Sequence, residues 1–173
     1  LLPFLDGFEA LCAEAEPRDD LQIWPPLLSV NTWRPEVVAA VLRTGKVHLI
    51  NDIGGLVEDT NARLCFEYGA ALLVMHTVGE PKVPHTAQRY ADVWEAMERF
   101  FDDRLARARR VGLSDDQLVL DPGIDFAKQR DDNLAVYREL ERLQRYDLPV
   151  LLPVSRKTVV DRKSTRLNSS HAN

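Results

Sequence analysis

The chain has 173 residues, of which 45% are hydrophobic and 28% are charged, and these proportions are typical of a globular protein with one core. The sequence contains no run of 18 apolar residues and no amino-terminal signal pattern, so we predict neither a membrane span nor a secretion signal. Cys12 and Cys65 are too isolated for a zinc site or a disulfide framework. The net charge of −5 argues against nucleic-acid binding and leaves a cytoplasmic small-molecule enzyme as the expectation.

The last thirteen positions differ in composition from the rest of the chain. Residues 161–173 carry three basic residues and one acidic residue, and Leu167 is their one large apolar side chain. Such a segment buries too little apolar surface to offset the entropy lost on ordering. We therefore expect one domain over 1–160 and a disordered tail over 161–173, and a non-native origin of that tail stays open.

Between these ends, short apolar runs alternate with segments of helical spacing. A stripe of apolar and aromatic residues at spacings of three and four predicts the longest helix, and its plainest function is to face the core. The predicted strands cover 26–31, 47–51, 70–75, 117–121 and 149–155, and helices are expected at 5–16, after Pro35, at 60–68, at 87–111 and around Val136 to Leu143.

Alternating strands and helices with strands this apolar predict a parallel sheet, either doubly wound or closed into a barrel. No Gly-x-Gly-x-x-Gly motif follows any predicted strand, which argues against a dinucleotide-binding doubly wound fold. All five predicted strands end in polar or reactive residues, and a barrel brings such ends to one mouth. We therefore predict an α/β fold of the (β/α)₈ TIM-barrel type. The strand ends are Asn31-Thr32, Asn51-Asp52, Met75-His76, Asp121-Pro122 and Ser155-Arg156-Lys157.

The residue types at these strand ends indicate what the mouth would bind. Asp accepts hydrogen bonds from ring N–H and amino groups, and Asn both donates and accepts, so a wall of Asn and Asp suits a flat, nitrogen-rich ring. The basic segment at 155–157 suits an anionic substrate group. Each position taken alone is also compatible with a turn or a helix cap, and the basic segment with a solvated turn.

Four segments, in order and at their separations, closely resemble the dihydropteroate synthases. They are Ile50-Asn51-Asp52-Ile53, Val74-Met75-His76, Asp121-Pro122-Gly123-Ile124-Asp125-Phe126-Ala127-Lys128 and Val154-Ser155-Arg156-Lys157. The similarity runs over about 26–160. It implies a pterin-binding barrel of folate biosynthesis that joins dihydropterin pyrophosphate to p-aminobenzoate and releases pyrophosphate, with Mg²⁺ assisting the leaving group.

The resemblance also implies roles for individual residues. Asp121 and Lys157 are the implied catalytic residues, and no metal ligand is expected within this chain. Arg156 is expected to support its loop. The implied substrate contacts are Asn31, Asn51 and Asp121 on the pterin, Met75 packed against its ring, Lys157 between pterin and aminobenzoate, Ser155 nearby, and Phe126 beside the second substrate.

Three substitutions and the chain length depart from the family pattern. Asn31 stands where the family has Asp, Asp125 where it commonly has Gly, and Pro153 where it has Gly. An extra carboxylate at Asp125 is expected to repel an anionic partner. By the resemblance the chain holds about strands 3 to 7 of eight and lacks the segment that binds metal and pyrophosphate, so we expect this polypeptide alone to be inactive. A homodimer stays open for a full-length protein.

Two other functions fit the same residues. One is the methyltetrahydrofolate-binding domain of a corrinoid methyltransferase, which Asn31 favours and the segments around Asp121 and Lys157 disfavour. The other is a paralogue that binds pterin without catalysis, which Asn31 and Asp125 make plausible.

Asn31 yields the first testable prediction. The amide keeps the shape of the family's carboxylate but loses its charge, and charge-assisted hydrogen bonds are about twice as strong as neutral ones. Asn31→Asp in a full-length version is therefore expected to raise turnover, measured as pyrophosphate release. Turnover that stays unchanged or falls would contradict the role assigned to this position.

Overall fold

A computed structural model describes residues 1–14, 27–81, 83, 85, 87–155, 157 and 159. The predictions made for the tail 161–173 and for Arg156 lie outside these residues. No helix among the described residues is long and apolar enough to cross a membrane.

Over the described residues, helices and strands alternate as the sequence predicts. The helices are α1 (Leu2–Glu14), α2 (Pro35–Leu42), α3 (Thr60–Tyr68), α4 (Val93–Val111) and α5 (Arg130–Arg138). The strands are β1 (Ser29–Asn31), β2 (Leu49–Asp52), β3 (Ala71–Met75) and β4 (Leu118–Asp121), and two 3₁₀ segments cover Asp115–Gln117 and Leu140–Tyr146.

Within the described part of the chain, the strands form one parallel sheet in the order β1-β2-β3-β4. A doubly wound sheet reverses its strand order at a switch point, where its ligand binds. This sheet instead adds each strand beside the preceding one, as a barrel does. The order therefore confirms the predicted fold class as a sector of a (β/α) barrel.

The predicted fifth strand, over 149–155, is wrong as a regular strand. Val150 makes an isolated parallel bridge to Leu120, with Leu120 N–H donating to the Pro149 carbonyl at 2.9 Å and Leu151 N–H donating to the Leu120 carbonyl at 2.8 Å. Proline has no N–H to donate to a ladder, and Pro149 and Pro153 bracket this segment. The segment still lies beside β4, so the strand order along the barrel is kept.

The longest helix also differs from its prediction, because it begins at Val93 and not near residue 87. The Asp92 carboxylate caps it by accepting from the N–H groups of Trp94 at 2.8 Å and Glu95 at 3.0 Å. The predicted apolar stripe is confirmed as core, since Trp94, Met97 and Phe101 are buried.

One face of the sheet packs against the helices. Alternate strand residues belong to the same buried cluster as the helix side chains, and the thiol of Cys65 in α3 is buried within it. Burial, together with the charge of Asp52, raises the pKa of Cys65 to about 12, so this thiol is inert. The strand residues of this core are Val30, Ile50, Leu72, Val74, Leu118 and Leu120.

Candidate functional site

The sheet register places four predicted site residues on its other face. Asn31 is the register partner of Asn51, Asn51 of Leu73, and Met75 of Asp121. Residues two apart along a strand point to the same side, and so do partners in adjacent strands. Leu73 and Met75 are two apart, so Asn31, Asn51, Met75 and Asp121 share one face. This face is opposite to the helix-packed core.

Asn51 brings an unused acceptor to this face. Its side-chain Oδ1 is buried and has no hydrogen-bond partner among the described residues. A buried polar atom without a partner costs about 1–3 kcal/mol, so such atoms occur mainly where a ligand or water supplies the missing bond. Asn51 is therefore a candidate ligand contact.

The neighbouring Asp52 is on the helix-packed face and its hydrogen bonds are satisfied within the protein. Its Oδ1 accepts from Gly54 N–H at 2.8 Å, and its Oδ2 accepts from the Asn61 amide at 2.9 Å. Burial raises the pKa of Asp52 against the effect of these bonds. The carboxylate thus stabilises the loop after β2, and both of its oxygens are hydrogen-bonded without a ligand.

Asp121 is the buried carboxylate of the candidate site. It is 4% exposed, and one oxygen, Oδ1, accepts from Gly123 N–H at 2.7 Å. Burial raises the pKa of Asp121, whereas the Gly123 N–H and the charges of Lys157 and Lys128 oppose that rise. A desolvated carboxylate near two ammonium groups is suited to accept hydrogen bonds from a ligand with N–H groups.

The loop after β4 connects Asp121 with Lys157 and Phe126. Lys157 Nζ donates to the Ile124 carbonyl at 2.8 Å and lies 5.2 Å from the centroid of the Phe126 ring. Ser155, which precedes Lys157 by two residues, is exposed. The positive charge of Lys157 also lowers the pKa of Asp121. The predicted residues Asp121, Phe126 and Lys157 are therefore brought together.

The two polar departures from the family pattern have different surroundings. Asn31 is exposed at the end of β1. Asp125 has a positive φ of 68° and is tied to Asn133, whose Oδ1 accepts from Asp125 N–H at 2.9 Å and whose amide donates to Asp125 Oδ1 at 3.2 Å. The carboxylate of Asp125 thus helps to hold its own loop, a function that the sequence does not reveal.

Two cavities open near these loops. One of about 190 Å³ is lined by residues that include Asp125 and Phe126, and it is the cavity that reaches the predicted site. The other, of about 580 Å³, is lined by Trp33, Asp52 and Asn61 among others and by none of the predicted site residues. The larger cleft therefore does not coincide with the candidate site.

His76 and Lys128 both lie in the segments that resemble the family, but the sequence assigns neither of them a role. His76 is 1% exposed, Lys128 is 8% exposed, and their side chains meet at 2.6 Å between Lys128 Nζ and His76 Nδ1. The one available signal was the position of Lys128 in the segment that follows Asp121.

Consecutive parallel strands with polar carboxyl ends define a ligand-binding sector of a (β/α) barrel. The sequence profile described as pterin binding enzyme matches residues 16–172. The chain therefore belongs to the pterin-binding enzyme family.

Named relatives agree with this assignment. The dihydropteroate synthase of Escherichia coli K12 is 33% identical over 139 residues, which cover 80% of this chain and 48% of that protein. The Synechocystis enzyme of the same name is 33% identical over 134 residues, 77% of this chain and 46% of that protein. The chain thus spans about half the length of these curated relatives.

Solved structures match the fold. Dihydropteroate synthase from Thermus thermophilus in complex with 4-aminobenzoate aligns with a TM-score of 0.78 and 32% identity, covering 99% of this chain and 62% of that one. The same enzyme in complex with 6HMPPP aligns with a TM-score of 0.79 and 33% identity over 95% of this chain and 60% of that one.

Gly123 provides a direct test of how closely the loop after β4 packs on β3. A Cβ at Gly123 would lie 2.0 Å from the His76 carbonyl oxygen, at a φ of +64°. Gly45 has a similar φ of +70°, but no described atom lies within 4 Å of its would-be Cβ. Gly45→Ala should therefore lower the free energy of unfolding by about 1–2 kcal/mol, and Gly123→Ala by about 3–5 kcal/mol.

Urea unfolding of both variants measures this difference. Equal losses of stability in the two variants would contradict the close approach of Gly123 to the end of β3.

Proposed function

We propose that this chain forms part of a dihydropteroate synthase-like transferase, which condenses 7,8-dihydropterin pyrophosphate with p-aminobenzoate. The observation that carries the proposal is the Oδ1 of Asn51, which has no partner among the residues the structure describes and lies on the same sheet face as the buried carboxylate of Asp121. The family membership and the relatives named dihydropteroate synthase support it. The Thermus structures are complexes with 4-aminobenzoate and with 6HMPPP.

The pterin ring would lie against the face that holds Asn51 and Asp121. Asp121 would accept hydrogen bonds from the ring N–H and the exocyclic amine, and Asn51 Oδ1 would accept from another N–H group. Met75, 2% exposed on this face, would supply apolar contact with the ring. Asn31 would contact the ring from the end of β1. These contacts match the donor-rich edge of a pterin and its flat apolar surface.

In the reaction, the bond between the exocyclic methylene and the pyrophosphate oxygen breaks, and pyrophosphate leaves with the electron pair. Positive charge develops on the methylene and spreads into the ring. A buried carboxylate aimed at ring N–H groups stabilises that charge more in the transition state than in the ground state. The aromatic amine then attacks the methylene carbon and loses a proton to solvent. Asp121 would supply the charge stabilisation, and no covalent nucleophile is required.

The second substrate would lie beside Phe126, at the cavity of about 190 Å³. The ammonium of Lys157 would lie between the two substrates. It is beside the Phe126 ring, and its charge lowers the pKa of Asp121. Its positive charge would favour the carboxylate of p-aminobenzoate and oppose the repulsion expected from Asp125, which lines the same cavity, with Ser155 nearby to donate a hydrogen bond.

The domain bounds, the location and the assembly are proposed together with the transferase function. We keep residues 1–160 as one barrel domain, the cytoplasm as its location, and a homodimer as a candidate assembly. Mg²⁺ would assist pyrophosphate departure, but the described residues contain no group of three or more His, Cys, Asp or Glu side chains that could hold a metal ion. No step is therefore assigned to a metal bound by these residues.

A paralogue that binds pterin without catalysis is the second candidate function. The neutral, exposed Asn31 favours it, since this end of the sheet lacks the charge that the family's carboxylate would supply. Pterin binding without pyrophosphate release in a version extended to the length of the relatives would favour this candidate over the transferase.

Asp121→Asn tests the proposed pterin contact. Removing a charged acceptor from a buried hydrogen bond costs about 1.5–3 kcal/mol, so affinity for 6-hydroxymethylpterin should fall about tenfold to a hundredfold in calorimetry. Asp116→Asn, which changes an exposed carboxylate just before β4, is the matched control and should leave the affinity unchanged.

The pH dependence of binding supplies a second readout on the same residue. Because the pKa of Asp121 is raised, its carboxylate is protonated at a higher pH than an ordinary Asp, and affinity should fall as pH falls through that raised pKa. Equal affinity in wild type and Asp121→Asn would refute the proposed role of Asp121.

A further inference from the structure

Lys128 is a buried ammonium group that the proposed reaction does not use. Its Nζ lies 2.6 Å from His76 Nδ1 and 3.0, 3.3 and 3.5 Å from the carbonyl oxygens of Gly123, Phe126 and His76. These acceptors belong to the end of β3 and to both ends of the short loop after β4. A single side chain therefore links two strand ends at the candidate site.

The kinds of acceptor around Nζ suit the charged form of the lysine. An ammonium has three N–H donors and no acceptor, and three carbonyl oxygens and His76 Nδ1 lie within 3.5 Å of Nζ. The match requires His76 Nδ1 to be an unprotonated acceptor, with the ring proton on Nε2. Burial and the charge of Lys128 lower the pKa of His76 well below its usual value, which keeps that ring neutral. A neutral amine would have only two N–H donors for the three carbonyl oxygens, and its lone pair could bond His76 only if Nδ1 carried the ring proton.

The loop that Lys128 holds carries the predicted site. Gly123, whose carbonyl Lys128 binds, donates its own N–H to Asp121 Oδ1 at 2.7 Å. The Ile124 carbonyl receives Lys157, and Phe126, whose carbonyl Lys128 also binds, presents its ring to Lys157. The orientation of each of these side chains thus depends on the path of the loop between Gly123 and Phe126.

The backbone conformation of this loop requires stabilising contacts from the surrounding structure. Asp125 and Ala127 have positive φ values of 68° and 49°, which residues other than glycine rarely adopt. Such conformations cost about 1–3 kcal/mol each and persist when surrounding contacts impose them. The bonds from Lys128 are contacts of that kind.

We propose that Lys128 is a positioning residue for pterin binding: its ammonium, held by His76, fixes the Gly123–Phe126 loop, and the pocket is complete only while Lys128 is protonated. The proposal rests on the proposed pterin site. Lys128 acts through the loop and need not touch the substrate.

Several charged and titratable groups face Lys128 and set its protonation. Burial is the largest effect and lowers the pKa of Lys128 to about 7, with Lys157 acting in the same direction. Three carboxylates oppose this effect: Asp121 at the end of β4, Asp125 in the loop and Asp132 in α5. On the side of β3 stand His76 and, against its ring, Tyr90, whose pKa burial raises to about 12. Protonation of Lys128 therefore changes within the physiological pH range.

The expected pH effects on binding and on stability have opposite signs. Pterin affinity should fall as pH rises through about 7, because the ammonium is lost. The unfolded chain keeps its lysine protonated up to about 10.5, so between these values it binds more protons than the folded chain. The contribution of Lys128 to the free energy of unfolding therefore increases with pH over the same range. A residue that only stabilised the fold would not weaken binding while stability rose.

The test compares Lys128→Met and Lys128→Arg with wild type in calorimetry with 6-hydroxymethylpterin from pH 6 to 9. Lys128→Met should bind about tenfold more weakly at pH 6 and show only the pH dependence of the ligand and of the other groups. Lys128→Arg stays charged throughout, so where it folds it should restore affinity above pH 7. Lys46→Met, which removes a lysine between α2 and β2, is the matched control and should follow wild type.

A measurement on the unmodified protein guards against variants that fail to fold. Selective ¹⁵N labelling of the lysine side chains should show Lys128 titrating near pH 7, with a midpoint that rises when pterin binds. Pterin binding that is identical in Lys128→Met, or a Lys128 titration that pterin leaves unmoved, would overturn this inference and leave the proposed function standing. Absence of pterin binding in wild type would instead overturn the proposed function.

Discussion

The register of the parallel sheet is the constraint on which the candidate site depends. Pairing of Asn31 with Asn51 and of Met75 with Asp121 assigns these residues to one face, and the alternate residues to the core beneath the helices. A shift of one residue in any strand would exchange the two faces. The same rule separates Asn51 from Asp52, which are adjacent in sequence. The first keeps an acceptor that no described residue uses, and the second is satisfied by Gly54 and Asn61.

A second level of organisation is the loop after β4, where the backbone approaches its neighbours more closely than a side chain would allow. Gly123 lies on the His76 carbonyl and directs its N–H to Asp121, while Lys128 and Lys157 bind the carbonyl oxygens of Gly123 and Ile124. The carboxylate, the aromatic ring of Phe126 and the ammonium of Lys157 are therefore placed by one short segment. Burial, which shifts the pKa of Asp121 upward and that of Lys128 downward, couples this geometry to pH.

Much of this arrangement could be predicted from the sequence because it depends on local patterns. Alternating apolar runs predicted the parallel sheet, and polar residues after each run predicted where Asn51 and Asp121 would lie. The segment around Val150 could not be judged from apolarity alone, because its prolines prevent a regular ladder. Specific side-chain contacts could not be predicted from the sequence either. The pair formed by His76 and Lys128 spans 52 residues, and the tie of Asp125 to Asn133 depends on a positive φ.

The central claim is that Asn51 and Asp121 belong to one basin that receives a flat, nitrogen-rich ring. A crystal structure of the chain with bound 6-hydroxymethylpterin tests it most directly. We predict ring N–H groups within about 3 Å of Asn51 Oδ1 and of the Asp121 carboxylate, with the ring against Met75. A ring bound instead in the larger cleft beside Trp33 and Asp52, with Asn51 Oδ1 still unpartnered, would contradict it.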